Sequence, residues 1–257
     1  RLDLCLEVPL LDRDARRHFL EKLQSETRLK AGESFPMDEL LELSAGMSGA
    51  DLEKLVREVQ LTAIRRGLHE VTPADLLEEL NVIKHGARLD NPPLRAQLAV
   101  TAHHEAGHAV VSRALNPDVR IEQVTIVPRR NALGFTAYSE ESFSLRSFDR
   151  QEVMDLICVA LGGRVAQRKY MAQLEGDQAL DKGSDAGAES DLRQATRLAW
   201  QAITAWGLDT EFGWVSTQPW SDDAIIPASL EERATQRVKA WIDEARARTE
   251  QVVETNW

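Results

Sequence analysis

Apolar and other side chains alternate from Leu2 to Val8 (Leu2, Leu4, Leu6 and Val8 against Asp3, Cys5 and Glu7), a period of two that predicts a short strand. The period then lengthens. Four helical segments follow: one over about Asp12 to Ser25, a short one after Pro36 from Met37 to Leu43, and two with explicit start signals. Ser48 with Asp51 three residues on predicts a capping box for a helix reaching about Arg66. Thr72 repeats the device with Asp75, and Pro73 stands at the first helical position. One strand and four helices ending near His85 make a compact helical unit.

Gly86-Ala87-Arg88-Leu89-Asp90-Asn91-Pro92-Pro93 then breaks regular structure and predicts a linker. Beyond it, Leu94 to Leu115 reads as a helix. Ile121–Val127 and Leu133–Ser139 read as two strands of a hairpin turned by residues 128–132. Ser147 is the expected cap of a helix running to about Met171. A polar loop of roughly 18 residues follows, long enough to be functional or disordered. A helix over about Ser190 to Trp206 comes next, and Ser229 with Glu232 opens a last long helix. The expected organisation is residues 1–88, a linker at 89–93, and a mostly helical second domain at 94–257 with a small hairpin.

Composition narrows the class. The 257 residues are 43% hydrophobic and 28% charged, ordinary for a globular protein with a real core. A net charge of −11 leaves no electrostatic footprint for nucleic acid. Cys5 and Cys158 match no disulfide or metal pattern and read as free thiols of a reducing compartment. No apolar run is long enough to span a bilayer. The first residue is Arg1 rather than Met, which suggests a piece of something longer.

The strongest chemical signal is His104-Glu105-Ala106-Gly107-His108. Histidines at i and i+4 leave one helix face a turn apart, so two imidazoles can share a metal ion. Zinc lowers the pKa of a water toward 7, and the neighbouring carboxylate can take its proton. Val100, Val111 and Leu115 share that face, which sets the pair against an apolar core. Gly107 points to close packing, because glycine inside a helix costs about 1 kcal/mol relative to alanine. The plain alternative is a pair of satisfied core histidines beside a surface Glu105. A catalytic zinc needs a third protein ligand. Val111 and Ala114 rule out the metzincin extension. A carboxylate is expected instead, and spacing leaves Glu152, Asp155, Asp185, Glu189 and Asp191 open.

These segments together resemble the FtsH family of ATP-dependent zinc proteases. HHEAGHAVVSRAL resembles its zinc helix, VTIVPRRNALGFTAY its hairpin, LGGRVAQR its GGRAAEE helix, and GAESDLRQATRLA its third-ligand segment. AWGLDTEFG is similar to the loop that follows. RLDLCLEVPLLDRDAR and GMSGADLEKLVREVQLTAIRRG resemble the end of an AAA+ large domain and its helical lid. The resemblance implies a mainly α chain, with an AAA+ lid followed by a mostly helical zinc protease domain.

It further implies one Zn²⁺ per chain held by His104, His108 and Asp191, with Glu105 as general base. Residues Gly134, Phe135, Thr136, Ala137 and Tyr138 would form the strand onto which an extended substrate adds. Ser48-Gly49-Ala50 resembles the lid element near adenine. The full-length protein would be a homo-hexamer acting on unfolded or membrane proteins. It would use ATP and Mg²⁺ from the cytoplasmic side, anchored in the inner membrane. This chain departs from that pattern in holding no phosphate-binding G-x-x-x-x-G-K-[ST] segment and no membrane span. It also carries Gln167-Arg168 where the family commonly has two glutamates. Two rival functions follow: an inactive hexameric scaffold of the same fold, and a nucleotide-responsive lid with a passive protease half.

Overall fold

The computed structural model describes residues 10–89, 94–130, 133–139, 148–176, 189–217 and 227–257. The strand expected over residues 2–8, Cys5, Ser147 and Asp185 lie outside them. Among the described residues there are eight helices and a two-stranded antiparallel sheet, so the chain is mainly α. In order they are α1 (Arg13–Glu26), α2 (Met37–Leu43), α3 (Gly49–Arg65), α4 (Pro73–His85), α5 (Arg95–Leu115), β1 (Ile121–Thr125), β2 (Phe135–Tyr138), α6 (Arg150–Glu175), α7 (Glu189–Thr204) and α8 (Ala228–Thr255). No described helix is long and apolar enough to cross a membrane.

The chain divides into two compact units. The first comprises the chain up to Pro92 with Val127–Leu133 and Tyr138–Ser144. Its helices start where the caps predict. Asp12 accepts from the Ala15 amide, and the Ser48/Asp51 and Thr72/Asp75 boxes are both closed. α3 then buries Leu52, Leu55, Val56, Val59 and Ala63, the i, i+3, i+4, i+7 stripe of a core-facing helix. These meet Leu20, Leu40, Leu41, Leu76 and Leu80, all fully buried. Each such side chain contributes about 1.5–3 kcal/mol of apolar burial. Within the same unit the buried Arg129 donates to Glu78 at 2.9 Å and to the Gly86 carbonyl at 3.0 Å.

The second unit comprises Pro93–Ile126, Gly134–Ala137 and Leu145–Trp257. Its core gathers Val111 of α5, Met154, Ile157 and Leu161 of α6, Ala199 and Ile203 of α7, and Trp241 and Ala245 of α8. Two helix starts differ from the sequence expectation. α6 is capped by Asp149, whose carboxylate accepts from the Glu152 amide at 2.8 Å while Glu152 returns the bond at 3.0 Å. The helix also runs on to Glu175, past Met171, so it absorbs the start of the expected loop. Ser229 is not a cap: α8 begins at Ala228, with Pro227 before it in extended conformation. A proline's fixed φ lets the helix open earlier than the Ser-x-x-Glu pattern suggests.

Asp209 ties the segment after α7 to α8. Its buried carboxylate accepts from Arg237 Nε and Nη2, from Trp241 Nε1 at 2.6 Å and from the Phe212 amide at 2.6 Å. Burial opposes the charge, but Arg237 and these donors outweigh it and hold the carboxyl below its ordinary range. A depressed folded pKa stabilises above the unfolded value and is lost as pH falls through the folded one. Asp209→Asn should therefore cost about 3 kcal/mol near neutrality, because it leaves Arg237 without its buried partner. That difference should shrink only in acid below the ordinary carboxylate range, as the wild-type carboxyl takes up its proton. Paired thermal melts of the two proteins at about pH 7 and through a descending acid series check this; a gap that does not narrow as the pH falls would refute it.

Candidate metal centre

The second unit brings together His104 and His108 of α5 and Asp191 of α7. The histidines lie one turn apart on the same helix face, as their spacing requires. Asp191 enters from the first turn of α7, where the positive end of the helix dipole favours a carboxylate. Its Oδ2 lies 3.0 Å from His104 Nε2 and 3.3 Å from His108 Nε2. The two Nε2 atoms are 3.2 Å apart.

The outer ring nitrogens decide what those three atoms can do. His108 Nδ1 stands 2.7 Å from the Val159 carbonyl, and His104 Nδ1 stands 3.1 Å from Gln167 Oε1. Both partners are acceptors, so both Nδ1 atoms carry the proton. In the neutral rings the Nε2 atoms then present lone pairs inward. Asp191 Oδ2 is buried and accepts no well-directed hydrogen bond, although two nitrogens lie within ion-pair distance. Distance without a donor leaves three lone pairs facing one another, an arrangement that needs a cation. Ligands about 2.0–2.1 Å from a tetrahedral zinc sit about 3.3 Å from each other, which matches the observed separations. The residues fit the metal.

Electrostatics agree with this picture. Burial works against charge at Asp191, but the imidazoles beside it hold the carboxyl well below its usual range. Burial likewise opposes protonation of His104, and Asp191 outweighs it to raise that pKa. Glu105 moves the other way: it is buried, and burial pushes its carboxyl up. Thr136 Oγ1 lies 3.0 Å from Glu105 Oε2 and 3.0 Å from the Glu105 carbonyl.

Of the other carboxylates weighed in the sequence, those among the described residues are occupied elsewhere. Asp155 pairs with Arg248 at 2.6 Å, Glu152 closes the α6 cap, and Glu189 pairs with Arg193. His103 stacks on Tyr170 with ring centroids 3.7 Å apart and takes no part in the cluster.

The sequence reading expected close packing at Gly107 but did not single out Gly162 or Gly163. Gly107 and Gly162 let α5 and α6 touch through their backbones: a Cβ on Gly162 would come within 2.7 Å of the Gly107 carbonyl oxygen. A Cβ on Gly163 would come within 2.6 Å of His104 Nε2, in the space the imidazoles occupy. Their signal was a Gly-Gly pair inside a helix, costly there unless close approach requires it. Gln167, noted in the sequence only as a departure, is a neutral amide that fixes the His104 tautomer where the resemblance has a glutamate.

Comparison with known proteins meets this geometry. Residues 95–257, which hold the whole cluster, match Peptidase family M41. The chain belongs to peptidase family M41. Residues 34–78 match the AAA+ lid domain, so this M41 member carries a lid upstream of its peptidase segment. Similar proteins include the ATP-dependent zinc metalloprotease FtsH of Thermus thermophilus, 35% identical over 84% of this chain and 36% of that protein. The protein of the same name from Paraburkholderia phymatum is 32% identical over 92% of this chain and 35% of its own length. ATP-dependent zinc metalloprotease FtsH 1 of Thermoanaerobacter sp. is 30% identical over 100% and 42%. The M41 chain thus spans only about two-fifths or less of these relatives.

Proposed function

We propose that this M41 chain hydrolyses peptide bonds with one zinc ion held by His104, His108 and Asp191. Residues 94–257 form the peptidase domain, and residues 1–88 carry the lid of an AAA+ ATPase. The observation that carries the reading is the meeting of three lone-pair atoms at 3.0–3.3 Å with both Nδ1 protons turned outward. A zinc ion bound there supplies a Lewis acid that lowers the pKa of water and polarises a carbonyl. Glu105 takes the proton from the attacking water and carries it to the leaving amine. His104 and His108 are held to one orientation by Gln167 and the Val159 carbonyl. β2 pairs with β1, and an extended peptide adds by main-chain pairing along Gly134, Phe135, Thr136, Ala137 and Tyr138.

The full-length protein, by the names of its relatives, couples this site to ATP; a hexameric ring acting on unfolded or membrane proteins at the cytoplasmic face of the inner membrane fits that reading. Peptide hydrolysis itself consumes no nucleotide. Residues 1–257, which include no phosphate loop, should cleave an unfolded protein such as casein slowly and without regard to ATP-Mg²⁺. They should leave a stably folded protein intact, since a native domain opens only about once in 10³ or more of the time. The assay compares both substrates with and without ATP-Mg²⁺, with a chelator as control and zinc measured on the same sample. Acceleration by ATP would overturn the uncoupled reading. Stoichiometric zinc with no cleavage would point to the scaffold instead.

A further inference from the structure

We propose that Thr136 is a positioning residue for Glu105, so that one side chain on the substrate strand aligns the general base. This rests on the peptidase reading above and goes beyond it. Three observations meet at this point of the second unit.

The first is the bond itself. Among the described residues, Thr136 is the one hydrogen-bond partner of the Glu105 carboxylate, at 3.0 Å from Oε2. The hydroxyl has a single proton, and the Glu105 carbonyl at 3.0 Å competes for it. Both acceptors belong to Glu105, so whichever takes the proton, the strand is fastened to that residue. With Oε2 so engaged, Oε1 is the oxygen left to receive a proton.

The second is the fit of the strand against the helix. Gly134 precedes Thr136 by two positions and shares its face of the strand. A Cβ there would approach Thr125 O at 2.7 Å, Thr101 Cγ2 at 2.8 Å and Glu105 Cγ at 3.0 Å. The chain is thus pressed onto α5 at Glu105, once by having no side chain and once through a hydroxyl. Neither contact leaves the carboxylate room to swing toward the strand.

The third is chemical. Glu105 is buried, and a glutamate has three rotatable bonds, so a carboxylate without a directional contact would sample several positions in its cavity. A general base works only within hydrogen-bond reach of the proton it takes. Thr136 supplies that direction from the side chain, while its main chain lies in the strand proposed to pair with substrate. The residue that registers the peptide and the residue that steadies the base are then the same.

Thr136→Val keeps the shape and removes the hydroxyl; Thr136→Ser restores it. With the zinc-loaded chain and casein-derived peptides, the valine variant should lose about 10–100-fold in kcat with KM within about threefold of wild type. The serine variant should recover most of that loss. Zinc should stay at one per chain in both. A crystal structure of Thr136→Val should show the Glu105 carboxylate spread over more than one rotamer. Equal losses in the valine and serine variants would overturn the proposal, because packing rather than the hydroxyl would then matter. So would a raised KM at unchanged kcat, which marks a residue that serves substrate alone. An unmoved, singly ordered Glu105 in the valine variant overturns it as well. A zinc-loaded wild type without activity would instead sink the peptidase reading, while the Glu105 rotamer still decides Thr136.

Discussion

Glu105→Gln should keep its zinc and lose nearly all turnover, by about 10²–10⁴-fold. The substitution is nearly isosteric. Its amide oxygen can still accept from Thr136 Oγ1, now 3.0 Å from Oε2, so the strand contact survives. What disappears is the capacity to accept a proton at this buried position. Since Glu105 is not one of the three converging side chains proposed as ligands, metal content should match that of the unsubstituted chain. Zinc analysis and initial rates on casein measure the two quantities separately. Near-normal turnover would mean that another group activates the water.

His108→Ala should do the opposite and empty the site. Two ligands, His104 and Asp191, would remain where a catalytic zinc uses three. Metal and hydrolysis should be lost together, to the background of the chelated wild type. Folding should survive, because the Val111, Ile157 and Trp241 core does not depend on the ion. The substitution also strips the Val159 carbonyl of its imidazole partner, a buried loss of about 1–3 kcal/mol. Melting should therefore fall by several degrees rather than collapse. Stoichiometric zinc in this variant would overturn the ligand set.

How much of this was legible in the sequence depended on distance along the chain. His104 and His108 declared themselves because both sit on one helix, where spacing alone sets geometry. Asp191 did not. It comes from a different helix, and periodicity carries no information about which helix packs on which; only the resemblance singled it out. The capped starts at Ser48 and Thr72 were readable because each box closes within four residues. Ser147 and Ser229 misled for a related reason. Several capping patterns can lie within a few residues, and which one closes is settled by neighbours such as Asp149 and Pro227. Gly134, read as part of a substrate strand, serves first to let that strand reach Glu105. Gln167 was visible as a departure, but whether an amide could replace a carboxylate could be judged only once His104 Nδ1 was seen facing it.

The backbone contact between Gly107 and Gly162 sets how the metal would be acquired. Two helices that meet main chain to main chain leave little side-chain volume between them to repack, so their separation is held closely by the peptide framework. The two imidazoles on α5 and the Val159 carbonyl on α6 are then held at a distance set by the packing of the chain itself. Binding would draw little on conformational entropy, unlike zinc fingers, whose metal must order the chain that holds it. Loading becomes a matter of access and proton release rather than folding. If zinc binds as proposed, chelating it should leave the chain folded.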